Sequence, residues 1–227
     1  SGIIFELKND DTYSVRKGDN VDLIPVITIP ETYNGLPVSS ILENGFYNCD
    51  RLIEINIPDT VTEIKNYAFY GFDFVTSIVI PEGVTSIGDE AFRQTLAVKE
   101  IVIPESVTTI GSGAFYGWSA LENVTIGENL TQMGDQVFYG CTALDTLTWL
   151  AEGVVVLGAD VFANTNTPNI DLLLTYHHAD EITDLVNWNG YTFKSIRVLC
   201  ADGTLNHITD YTDNTDGTHG INCSTCG

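Results

Sequence analysis

From residue 52 to residue 162 apolar and polar positions recur in one fixed order. Each unit reads Leu-x-x-Ile-x-Ile-Pro, two variable residues, Val-x-x-Ile-Gly, a short polar link, then Ala-Phe. The units begin at Leu52, Val75, Val98, Leu121 and Leu144. Phenylalanine marks the period at Phe46, Phe69, Phe92, Phe115, Phe138 and Phe162, in steps of 23 residues except the last, which is 24. One extra residue between Leu150 and Val154 accounts for that step. A period of this length, held over half the chain, predicts a solenoid.

The pairs Ile55/Ile57, Ile78/Ile80, Ile101/Ile103, Val124/Ile126 and Leu147/Trp149 alternate with outward neighbours, which predicts a strand with one buried face. Proline at Pro58, Pro81 and Pro104 closes that strand because it donates no ladder hydrogen bond. It is expected at the second position of the following turn. Val-x-x-Ile-Gly then returns along the opposite side, with room for a second short strand, and Ala-Phe falls on a single helical or 3₁₀ turn whose ring plugs the coil. One coil cannot bury its own apolar edge, so coils stack and their strands form a parallel sheet.

Stacking predicts columns. Two of them run across the exposed strand face: Glu54, Ser77, Glu100, Asn123 and Thr146, and beside them Asn56, Val79, Val102, Thr125 and Thr148. These ten positions are the candidate ligand-binding face, read against the plainer alternative that they are merely soluble strand residues. A third column, Asp59, Glu82, Glu105 and Glu128, is a ladder of carboxylates expected about 5 Å apart. It either splays into solvent or meets a basic partner or divalent cation. The position three past the phenylalanine carries Cys49, Phe72, Thr95, Trp118, Cys141 and Thr165, so its cysteines read as fillers of buried space.

The ends depart from the period. Ile3, Phe5, Leu7, Tyr13 and Val15 alternate as a hairpin cap within residues 1–29, and the repeats occupy 30–166. A strand and short helix over 167–198 close the other end, followed by a polar tail or the start of an appended small module at 199–227.

Charge narrows the partners. With 31 acidic against 9 basic residues and a formal net charge of −22, the surface repels phosphate backbones and anionic membranes. Nucleic acid and direct membrane insertion are therefore not expected. No apolar run reaches the roughly 20 residues that span a bilayer. No charged-then-apolar leader opens the chain; Ser1-Gly2 fits a processed start, so this does not argue for the cytosol.

The columns resemble the BspA-like (Treponema-type) leucine-rich repeat family of bacterial surface proteins. The stretches "IEINIPDTVTEIKNYAFYGF", "TSIVIPEGVTSIGDEAF" and "KEIVIPESVTTIGSGAFYGW" carry the likeness. Residues 28–48 resemble the family's opening unit, and the resemblance spans about residues 3–198. It implies a β-rich, right-handed leucine-rich repeat solenoid with a concave parallel sheet, on a secreted or cell-surface bacterial protein. It carries no catalytic residues to this chain.

Other chemistry finds little support. His219-x₃-Cys223-x₂-Cys226 has metal-ligand character, but zinc needs a fourth donor from Cys200 or His207, and a disulfide or two free thiols is the plainer reading. Asp210, Asp213 and Asp216 step by three, whereas a calcium loop needs alternate positions and a terminal Glu. There is no G-x-S-x-G or H-E-x-x-H motif, and His177-His178 lead into the expected capping helix. The sequons at Asn123 and Asn129 arise from repeat columns. The expectation is a non-enzymatic extracellular recognition or adhesion protein, without cofactor or metal, that binds a protein or glycan ligand of host or matrix origin. The alternative is a spacer presenting another module at the cell surface.

Overall fold

The computed structural model describes residues 2–19, 24–151, 155–166, 169–175, 195–199, 211–213 and 219–221. The chain winds into a β-solenoid of about seven turns with almost no helix. The expected capping helix, the His219/Cys223/Cys226 group, His177, His178, Cys200 and His207 lie wholly or in their side chains outside the described residues.

Two stacks of strands run along the solenoid. The first comprises β1 (Ile3–Leu7), β2 (Tyr13–Lys17), β5 (Leu36–Ile41), β7 (Glu63–Ile64), β8 (Ser86–Ile87), β10 (Thr109–Ile110), β12 (Gln132–Met133) and β14 (Val156–Leu157), with β4 (Thr32–Tyr33) beside β5. β1 and β2 form the antiparallel hairpin read from their alternation, and from β2 onward the main ladder is parallel. The Val-x-x-Ile return thus builds the longest uninterrupted sheet among the described residues. Its register is held by threonines as well: Thr85, Thr108 and Thr131 each donate through Oγ1 to the carbonyl of the threonine one coil earlier, at 3.0–3.2 Å.

The Ile-x-Ile strands form the second stack. β3 (Val26–Thr28) pairs in parallel with β6 (Glu54–Asn56). Beyond a gap, β9 (Glu100–Ile103), β11 (Asn123–Ile126), β13 (Thr146–Trp149), β15 (Asp171–Thr175) and β16 (Ser195–Leu199) continue it in parallel. The gap is the segment 76–80, which follows the same inward pattern but makes no ladder with β6 or β9. Ile78 and Ile80 are still buried there.

Between the two stacks lies a single apolar core. Phe46, Phe69, Phe92, Phe115, Phe138 and Phe162 stack face to face along it, with centroids 5.1–5.7 Å apart. The position three residues later serves their backbone. Thr95 and Trp118 both donate to the Phe92 carbonyl, at 3.0 and 2.5 Å, and Cys141 Sγ lies 3.5 Å from the Phe115 carbonyl. On the flank, Tyr47 stacks on Tyr70, Arg93 lies 4.2 Å over Tyr116, and Tyr116 stacks on Tyr139.

Two local readings change. The Ala-Phe segments are turns, not helix, because left-handed residues bracket them: Tyr67, Glu90, Gln136 and Asp160 before, Gln94 and Asn164 after. Proline takes the first position of its turn, not the second, since Val61, Val84 and Val107 donate to the carbonyls of Pro58, Pro81 and Pro104. The carboxylates of Asp59, Glu82, Glu105 and Glu128 are exposed, one place along that turn.

Cys49 and Cys141 are both buried, as their column predicts. Burial pushes the Cys141 thiol up to about 12, against a smaller opposing effect of a backbone hydrogen bond. Iodoacetamide at about pH 8 should therefore leave Cys141 unlabelled in the native protein and label it in denaturant. Peptide mass mapping checks this, and native labelling of Cys141 at its unfolded rate would contradict the packing.

Candidate interaction face

The outward side chains of the second stack form the face. In-register pairing aligns Glu100, Asn123, Thr146 and Asp171 in one column and Val102, Thr125, Thr148 and Leu173 in the next. Across the gap the same columns hold Val26 with Glu54 and Thr28 with Asn56. Ser77 and Val79 lie on the unladdered segment between them.

All ten predicted positions are at least partly accessible. Glu54, Asn56, Ser77, Val79, Glu100, Val102 and Asn123 are exposed, and Thr125, Thr146 and Thr148 are half-buried. Asn56 donates to the Glu54 carboxylate at 2.9 Å and lies 3.4 Å from Thr28 Oγ1, so this end is partly organised by its own side chains. Lys99 is tied to Glu122 at 2.6 Å on the adjoining coil, and that carboxylate holds the Lys99 ammonium above its usual pKa.

Sequence reasoning left out Val26, Thr28, Asp171 and Leu173, which pairing adds to the columns. Leu173 sits in the run Leu172-Leu173-Leu174, where alternation is hidden. The "PVITIP" stretch at 25–30 does carry the Ile-x-Ile-Pro signal, though all of it but Pro30 falls within the segment read as a cap. Among the described residues no three His, Cys, Asp or Glu side chains are grouped to hold a metal, and no helix is long and apolar enough to cross a membrane.

The family model described as the BspA type leucine rich repeat region matches residues 39–169, in six copies. The chain belongs to this family. Among solved structures, the BspA-type chain is similar to the leucine-rich repeat protein TpLRR of T. pallidum, at 25% identity and a TM-score of 0.58, over 72% of this chain and 86% of that one. A leucine-rich cell surface protein of Faecalibacterium prausnitzii shares the fold at 22% identity and TM-score 0.54, over 97% of this chain and 59% of that one. Pneumococcal vaccine antigen PcpA does so at 16% identity and TM-score 0.55, over 80% and 45% respectively. No curated protein matches the chain in sequence.

Proposed function

We propose that this BspA-type chain is a non-enzymatic extracellular recognition or adhesion protein of a bacterium, holding a macromolecular ligand against the face of the second strand stack. The observation that carries the reading is the pair of in-register outward columns, accessible from Val26 and Thr28 to Asp171 and Leu173. An extended surface of this kind offers many weak contacts to a large ligand, where a small substrate requires a concave pocket with convergent polar groups. Membership of a family of bacterial surface repeats supports the location.

The test is an array of matrix proteins and glycans probed with the intact protein and with a Glu54→Gln/Glu100→Gln/Asn123→Ala variant. Binding of at least one macromolecule, weakened about tenfold or more in the variant, is the expected result. Binding that the triple variant leaves unchanged would remove this face from consideration. A spacer reading draws support from the continuous sheet of β2 through β14 and the stacked rings beneath it, which stiffen the axis. Direct ligand binding by the repeats would count against it.

A further inference from the structure

We infer that the face takes a cationic, aliphatic-bearing stretch of a protein, centred on Val79 and Val102 between Glu54 and Glu100. This rests on the reading of the face as the binding surface and adds the class of ligand. Val79 and Val102 occupy one column on successive coils and are 73% and 58% exposed. Ile53, just before β6, and Phe74, just before the unladdered segment, are 52% and 60% exposed. Large apolar side chains gathered on a few neighbouring coils are a mark of an interaction site, whereas scattered ones are ordinary.

The same place holds the gap in the sheet. Residues 76–80 make no ladder bond to either neighbouring strand, so the sheet under Val79 is locally unpinned. The flanks are acidic. Glu100 lies two residues before Val102 on one strand and face, about 7 Å along it. Glu54 occupies the equivalent position on β6, and Asp50 and Asp73 outnumber Arg51 where the strands begin. Lys99, beside Glu100, is already paired with Glu122.

An apolar centre with an acidic rim complements lysine or arginine interspersed with aliphatic side chains. The other occupants fit worse. A second copy brings another net charge of −22, and the 199–227 tail has four aspartates and no lysine or arginine. Neutral glycans are held largely by aromatic platforms, and the ten face positions carry no ring; Phe74 is one exposed ring before the segment, not a platform, and Trp149 points inward, buried.

The experiment is calorimetric titration of the intact protein with a peptide of alternating lysine and leucine, at about 50 and 300 mM salt. Oligolysine of equal charge is the control. The Lys/Leu peptide should bind more tightly than oligolysine, and Val79→Asn/Val102→Asn should weaken it about tenfold or more while leaving oligolysine unaffected. Glu100→Gln should weaken it and flatten its salt dependence, while Glu82→Gln/Glu105→Gln, on the carboxylate ladder, should not. Melting curves for each variant confirm that the fold is intact. Equal binding of both peptides, or equal losses from face and ladder variants, would show attraction by bulk charge alone and overturn the inference. If the Lys/Leu peptide fails while a glycan binds in a manner sensitive to the face, the ligand class is wrong and the face reading stands. If no ligand responds to any face substitution, both fall.

Discussion

Phe115→Ala should destabilise the protein by about 3–5 kcal/mol, the range for emptying a buried aromatic site. Phe115 is fully buried, and three rings touch it: Phe92 at 5.6 Å, Phe138 at 5.3 Å and Trp118 at 5.2 Å. Each such contact is worth roughly 0.5–1.5 kcal/mol beyond area burial, which puts the effect toward the upper end. Collapse of the cavity is restricted because its walls belong to coils pinned by their own ladders, on one side β8, β10 and β12 and on the other β9, β11 and β13. In a solenoid each coil is stabilised by its neighbours, so Phe115→Ala should also loosen the coupling between the two halves. Guanidinium unfolding should show a lower midpoint and a broader transition, and amides of β10 and β12 should lose exchange protection. A midpoint within error of the wild type would mean that the ring column does not carry the core.

The columns were legible in the sequence because each repeats several times, and a repeated residue in a fixed place has a repeated cause. The buried strand pairs, the phenylalanine stack and the buried cysteines all follow from that. The accessibility of the ten face positions followed as well, since outward positions are whatever the inward pattern leaves. The gap at 76–80 did not follow. "EINIP", "SIVIP" and "EIVIP" show the same alternation, yet β6 and β9 are laddered strands and the segment between them is not. Pairing is a relation between coils, and the pattern within one coil does not encode it. The same holds for β15, where three successive leucines conceal which one faces outward until the pairing of Thr148 with Leu173 assigns it. Proline's place in its turn was misread for a local reason. Its fixed φ suits the second position, but here it must also end the strand, and the turn begins on its carbonyl.

Gly111→Ala should cost about 3 kcal/mol, the upper part of the range for overpacking, although it adds only one methyl group. A Cβ at Gly111 would sit 2.4 Å from the Asp89 backbone nitrogen and 2.5 Å from the Gly88 carbonyl carbon, both on the preceding coil. Neither atom can rotate away, so the coils must separate. Separation strains the bonds made there, Gly111 N–H to the Ile87 carbonyl at 2.8 Å and Ser112 N–H to Asp89 Oδ1 at 2.7 Å. Gly88, Gly134 and Gly158 meet a backbone nitrogen of the preceding coil in the same way, at 2.5–2.6 Å. This column, more than the phenylalanines, therefore sets how closely the coils approach. Gly35→Ala is the control, because Gly35 has φ +80° and open space around it. Only conformational strain, about 1–2 kcal/mol, should appear there. If Gly111→Ala proves no more costly than Gly35→Ala, close approach of coils is not what the glycine column serves. If it proves more costly, exchange of the Ser112 amide should accelerate first. The spacing of the outward columns on the opposite stack should be disturbed with it, since the same coils carry both.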